Sequence, residues 1–207
     1  MSGVNKTRER ILDVSADLFR RQGLAGTGIK QILRGADAPF GSLYHHFPGG
    51  KDELAAETIK RAGAQYAELV AGKLLAGPDL PRNIRDAFAS AGQTLVDTDY
   101  ADACPIETVA LEVASTNEPL RLATAEVFES WLSGLSALLE ANGVSKSAAR
   151  PLAHVILSAL EGAFVFARAS RSTDALAACG EAMATLVETA QSAPARVRRS
   201  AASRQSR

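Results

Sequence analysis

The chain has 207 residues, 46% hydrophobic but only 5% aromatic, and its 23 Lys+Arg are matched by 23 Asp+Glu. That length buries a real core in one or two domains, and an alanine-rich, aromatic-poor composition favours helix. Two cysteines, Cys104 and Cys179, make neither a disulfide framework nor a metal motif, and no signal peptide or apolar run near the ~20 residues of a bilayer span is visible, so the expectation is a cytosolic protein with reduced thiols and no membrane partner.

Charge is unevenly spread. Residues 1–51 hold eight basic and four acidic side chains (net +4), residues 52–191 ten and nineteen (net −9), and residues 192–207 five arginines and no acid. A basic head suits phosphate contact, and an acidic body points away from it.

In chain order, residues 1–5 read as a frayed arm. Lys6 to Gln22 reads as an amphipathic helix with Ile11, Leu12, Ser15, Leu18 and Phe19 inward, ended by Gly23. Lys6, Arg8 and Arg10 sit near its exposed end, as a solvated face or as phosphate contacts. Thr27 caps a second helix carrying Ile29, Ile32 and Leu33 on one side. Ala36-Asp37-Ala38-Pro39 breaks it. A third, short helix is expected from Phe40 to Phe47. Leu43 and Phe47, four apart, bury one side of it, while Phe40, Gly41, Ser42, Tyr44 and His45 face out. A helix that buries so little and shows an aromatic, a glycine, hydroxyls and an imidazole has the layout of a recognition helix.

Lys51 opens a long helix to Leu75, with Asp52 and Glu53 at its positive end. Leu54, Thr58, Ile59, Ala62, Gln65, Tyr66, Leu69 and Val70 are spaced to look inward. Breaks at 77–81 and 98–105 bound a helix from Arg82 to Asp97, and Ile106 to Ser115 is a shorter one. Another runs from Asn117 to about Ala141, with Leu122, Ala125, Phe128, Leu132, Leu135 and Leu139 inward. Ser145 caps a helix from Lys146 to about Ala169, and a last helix follows Asp174 to about Gln191. The fold class is all-α, about nine helices without a repeat. It divides into a three-helix head (1–50), a larger helical body (51–191) and a disordered basic tail (192–207).

The residues Ile11-Leu12, Leu18-Phe19, Gly23, Thr27, Ile32, Ser42-Leu43-Tyr44, Phe47 and Lys51-Asp52-Glu53-Leu54 resemble the DNA-binding domain of TetR-family repressors. The stretch GSLYHHFPGGKDELAAETI is similar to the LmrA/YxaF-like branch, as is the region from Cys104-Pro105-Ile106 onward. The resemblance implies a sequence-specific regulator, a repressor released from a double-stranded DNA operator by a small hydrophobic effector. It places Thr27, Tyr44, His45 and Lys51 on phosphate and Gly41 and Ser42 against base edges and backbone. Phe40 stands where a polar residue is usual, and packs on a thymine methyl or only on its own helix. Asp37 replaces the usual turn glycine. The resemblance also implies a homodimer through the last two helices and an effector inside the body. The expected pocket residues are Tyr66, Phe88, Cys104, Ile106, Trp131, Leu135, His154, Glu161, Phe164 and Arg168.

Enzyme chemistry finds little support. Nucleophile elbow, phosphate loop and zinc motif are missing, and His45 and His46 point in different directions without a third metal ligand. No cofactor or metal is expected. His154 and Glu161, seven apart, are a polar core contact or an orienting pair in the pocket. The competing readings are a helical ligand-binding or catalytic protein with a vestigial head, and a DNA-binding protein without an effector.

Overall fold

The computed structural model describes residues 3–193, with side chains from residue 6. The basic tail beyond residue 193 lies outside the described residues, as does the start of the expected N-terminal arm. Among the described residues there are nine helices and no strand: α1 (Gly3–Gln22), α2 (Ile29–Gly35), α3 (Ser42–His46), α4 (Gly50–Leu74), α5 (Leu80–Asp97), α6 (Pro105–Val113), α7 (Glu118–Ala141), α8 (Lys146–Ser170) and α9 (Asp174–Ser192). Three of them start as their sequences dictate. Asp79, Cys104 and Asn117 each accept an N–H of the first turn, and each is followed by proline at the first or second helical position, where a missing N–H costs nothing.

The head core joins α1, α2, α3 and the start of α4 through Ile11, Leu12, Ile32, Leu33, Ala36, Leu43, Phe47 and Leu54. A second core packs Phe19 and Leu24 with Ile59, Cys104, Ile106, Val109, Leu120 and Val127, so α6 lies against α1 and α4, and α7 against α4 and α6. The third fills the body between α5, α7, α8 and α9, around Phe88, Leu95, Leu139, Ile156, Phe164, Leu176 and Val187. α4 therefore belongs to head and body at once.

Several expectations need correcting. α1 begins at Gly3, three residues before the expected start. α3 begins at Ser42, so Phe40 and Gly41 lie in the turn before it. Thr27 does not cap α2: Gly28 is the N-cap, and the Thr27 hydroxyl turns back to donate to Gly23 O at 2.6 Å. On α4, Gln65 and Leu69 are exposed rather than packed in a core, and they face the cavity of the body. On α7, Leu122 and Ala125 are exposed, and Leu120, Ala123, Thr124 and Val127 are buried in their place. Ser145 is the N-cap of α8 but makes no capping bond with its side chain. The expectation that no stretch is apolar and long enough to cross a bilayer fails for α8, which passes on both counts. Only 33% of its most apolar window is buried within this chain.

The α4–α7 crossing rests on a missing side chain. A Cβ added at Gly63 would meet Val127 Cγ1 at 2.4 Å, and Trp131 Nε1 donates to Gly63 O at 2.9 Å. Gly63→Ala should therefore force these helices apart and lower the unfolding free energy by ~1–3 kcal/mol in urea titrations, despite the better helix propensity of alanine. An unchanged or raised midpoint would contradict the close crossing.

Candidate nucleic-acid interface and ligand cavity

α3 has five residues, too few to hold a helix alone. It is held by Leu43 and Phe47, both without exposed surface. The turn before it is built by Asp37 in the left-handed region (φ 46) and by Arg10, whose guanidinium donates to Ala36 O at 2.8 Å and Asp37 O at 3.2 Å. A cation at the carbonyl end of α2 opposes the local dipole. Ser42 N–H then donates to Pro39 O at 2.9 Å. This anchoring leaves Phe40 59% and Tyr44 56% exposed, with Gly41 and His45 exposed and Ser42 half-buried beside them. A Cβ at Gly41 would meet nothing within 4 Å, and its φ of −65° suits any residue. Nothing inside the fold requires a glycine there.

Two of the expected contact residues are placed differently. Thr27 is buried, its hydroxyl committed to Gly23 O, and it presents nothing to a duplex. Lys51 is half-buried, and Nζ donates to Leu24 O at 2.8 Å, which ties α4 to the loop after α1. Two ammonium protons remain for any outside oxygen. Arg8 is also held internally, by Glu57 and over the Phe47 ring at 5.3 Å. The imidazole of His46 lies against the Phe47 ring, and burial, then the nearby charges of His45 and Arg8, push its pKa below the ordinary value. Among the described residues no group of three His, Cys, Asp or Glu gathers as metal ligands.

The body holds a cavity of about 970 Å³. It runs along α4 from Ala62 to Leu75, with α5, α7 and α8 as its other long walls. Of the expected lining, Tyr66, Phe88, Trp131, Leu135 and Phe164 are on the wall. The Tyr66 and Trp131 rings meet at a tilt of 41° with centroids 5.4 Å apart. Cys104 and Ile106 are not on the wall: both are fully buried in the second core. His154 is exposed, and the expected His154–Glu161 pairing does not form. Arg168 lines a separate shallow depression beside Glu107 and donates to Tyr100 O at 3.3 Å.

Of the wall residues that the sequence did not single out, several are charged and lie on α1. Asp13, Asp17 and Arg20 line the cavity together with Asp102, which precedes α6. Their spacing, four and three apart, places them on one helical stripe distinct from the Ile11–Phe19 side. That spacing was legible, but a charged stripe on a surface helix is ordinary, and only the fold shows that it walls a cavity.

Glu161 sits behind this wall, and both its carboxylate oxygens are inaccessible and lack a hydrogen-bond partner among the described residues. Burial, then the charge of Glu107, pushes its pKa up to about 8, with the Cys104 thiol acting the other way. Burial likewise raises the Tyr66 hydroxyl and the Cys104 thiol well above their usual values. The Glu161 carboxyl is thus largely protonated at neutral pH.

Between its ordinary 4.5 and about 8, folded Glu161 keeps a proton that the unfolded chain has released. Its contribution to stability therefore falls as pH rises through that window, by up to ~1.4 kcal/mol per unit. Glu161→Gln should flatten this fall, seen as a smaller drop in urea midpoint between about pH 5 and about pH 8 than in the parent. An equal drop would show that Glu161 is solvated or paired.

Comparison with known proteins gives a consistent result. Residues 11–58 match the profile of bacterial regulatory proteins of the tetR family, and residues 82–182 that of the C-terminal domain of LmrA/YxaF-like transcriptional regulators. The HTH-type transcriptional regulator LmrA of Bacillus subtilis is 31% identical over 170 residues, covering 82% of this chain and 90% of that protein. YxaF of the same organism, an uncharacterised HTH-type transcriptional regulator, is 31% identical over 187 residues, covering 90% and 98%. A crystal structure of a TetR transcriptional regulator from Chloroflexus aurantiacus superposes with a TM-score of 0.73 at 27% identity, over 91% of this chain and 97% of the other.

Proposed function

Because the chain belongs to the TetR family of bacterial regulatory proteins, in its LmrA/YxaF-like branch, and is a DNA-binding transcriptional regulator rather than an enzyme, we propose that it is a homodimeric, cytoplasmic repressor released from its operator by a small hydrophobic molecule. The observation that carries the DNA-binding part is the outward face of α3. Tyr44 is 56% exposed while Leu43 beside it has no exposed surface. In this reading the Tyr44 hydroxyl and the His45 imidazole meet phosphates, Ser42 and Gly41 approach base edges, Phe40 packs on a thymine methyl, and Lys51 adds a phosphate contact while holding Leu24 O.

Dimerisation is proposed through α8 and α9. Val155, Val165, Phe166 and Leu186 are 46%, 50%, 70% and 43% exposed on their outer faces. Apolar surface of that kind on neighbouring helices of a soluble protein marks an interaction site, and closed two-fold pairing is its commonest form. Pairing would also cover the outer side of α8 and account for its bilayer-like composition. The two heads would then address successive major grooves, ~34–36 Å apart.

The effector belongs in the cavity along α4. Its walls are mainly apolar, with the Tyr66 hydroxyl and a few charged groups, which suits a flat or greasy molecule. Such a molecule loosens the operator only through unequal affinity for the DNA-bound and free arrangements.

An operator fragment chosen by gel shift from genomic DNA tests the reading; no sequence-selective complex would overturn it in favour of a vestigial head. Gly41→Ala, with open space around the new methyl, should fold like the parent yet bind the operator several-fold more weakly. Tyr44→Phe should lose ~0.5–1.5 kcal/mol on every operator variant alike, whereas Phe40→Ala should change the ranking of variants. Phe166→Glu should shift the protein toward monomer in sedimentation and weaken operator binding with it. A Phe166→Glu dimer of undiminished affinity would rule out the α8–α9 interface.

A further inference from the structure

The cavity is walled in part by the head itself. Asp13, Val14, Ala16, Asp17 and Arg20 of α1 close one side, so an occupant touches head and body together. At that end the two are tied by charge. Arg20 Nε and Arg21 Nε each lie 3.2 Å from an oxygen of Asp102, a carboxylate only 7% exposed in the loop before α6. Arg20 also reaches Asp17 at 2.7 Å, and Arg61 on α4 reaches Asp13 at 2.7 Å. The Arg20–Asp102 contact is poorly made: Arg20 Nε is buried, and its N–H has no aligned acceptor among the described residues. A clamp with a misdirected donor is the weak point of the junction, because a buried donor left unsatisfied carries a desolvation penalty.

This arrangement also limits the ligand. The three carboxylates at this end of the wall, Asp13, Asp17 and Asp102, are each already paired with a guanidinium, Arg20 on the wall and Arg21 and Arg61 outside its lining, so the end holds no unpaired charge for an ionised ligand. Burying an uncompensated charge beside them is costly. The α4 wall from Ala62 to Leu75 extends about 20 Å at the helical rise.

We propose that the cavity takes an uncharged, elongated, largely apolar molecule whose end lies against α1, and that it signals by displacing the Arg20–Asp102 clamp and so freeing the head from the body. This deepens the effector-release reading and rests on it for its biological sense, but the clamp is testable without DNA.

The probes are anilinonaphthalene, which is neutral, and its sulfonate, which has the same ring system and a negative charge. Trp131 is the single tryptophan, lies on the cavity wall, and serves as energy-transfer donor to either probe. The neutral probe should bind the full-length protein at least about tenfold more tightly than the sulfonate. Its binding should speed amide hydrogen exchange at the C-terminal end of α1 and in the loop to α2. Arg21→Gln, which leaves the wall intact because Arg21 is not part of it, should give a smaller exchange response at equal occupancy, and Asp102→Asn none. Equal or tighter binding of the sulfonate, absence of neutral-probe transfer from Trp131, unchanged exchange in the parent at saturation, or a full response in Asp102→Asn would each overturn the proposal. If exchange responds as expected while operator affinity in the parent does not change, the clamp stands and the effector-release reading falls.

Discussion

Leu43 and Phe47 have no exposed surface, and the outward face of α3 depends on that. Five residues make one turn and a half, which gains too few backbone hydrogen bonds to offset the ordering of the chain. Burying a leucine and a phenylalanine against Ile11, Ile32 and Leu54 contributes roughly 1.5–3 kcal/mol each, enough to hold the turn. Because both anchors lie on one side, the opposite side has to face solvent, and Tyr44 and His45 are on it. The exposure of Tyr44 is therefore a consequence of how α3 is held.

Everything attached to that head is arranged to hold it in position. Arg10 fixes the turn from α1, Lys51 fixes the loop after α1 from α4, and Glu112 of α6 accepts the Ala25 N–H at 2.8 Å. Asp102 and Glu112 bracket α6, and both hold the end of α1 and the loop that follows. α6 is short and begins at a proline, and its contacts with α1 through Asp102 and Glu112 do not involve α4. The body thus touches the head in two places, along α4 and through the ion pairs beside α6.

The helices and their order were readable from apolar spacing and punctuation, and Asp37 does take the left-handed conformation that its replacement of glycine suggested. Side-chain direction was less readable. Thr27 had two local choices, an N–H ahead or a carbonyl behind, and the turn at Gly23 (φ 74) brings the carbonyl into reach. The inward stripe of α7 was misplaced because alanines fill several faces of that helix, and the choice between Leu120–Val127 and Leu122–Ala125 is made by α4 and α6 across the interface. The same difficulty hid the cavity: its residues come from six helices, and Cys104 and Ile106 differ from Tyr66 and Trp131 only in which side of a wall they occupy.

The outward face of α3 is tested most directly by a hydroxyl-radical footprint of the protein on its operator, with and without a Tyr44→Ala substitution. Two symmetric protected patches should appear, their centres ~34–36 Å apart on one face of the duplex, and both should be lost together in the variant. A single patch, or protection that survives the loss of Tyr44 unchanged, would contradict the assignment of that face to DNA.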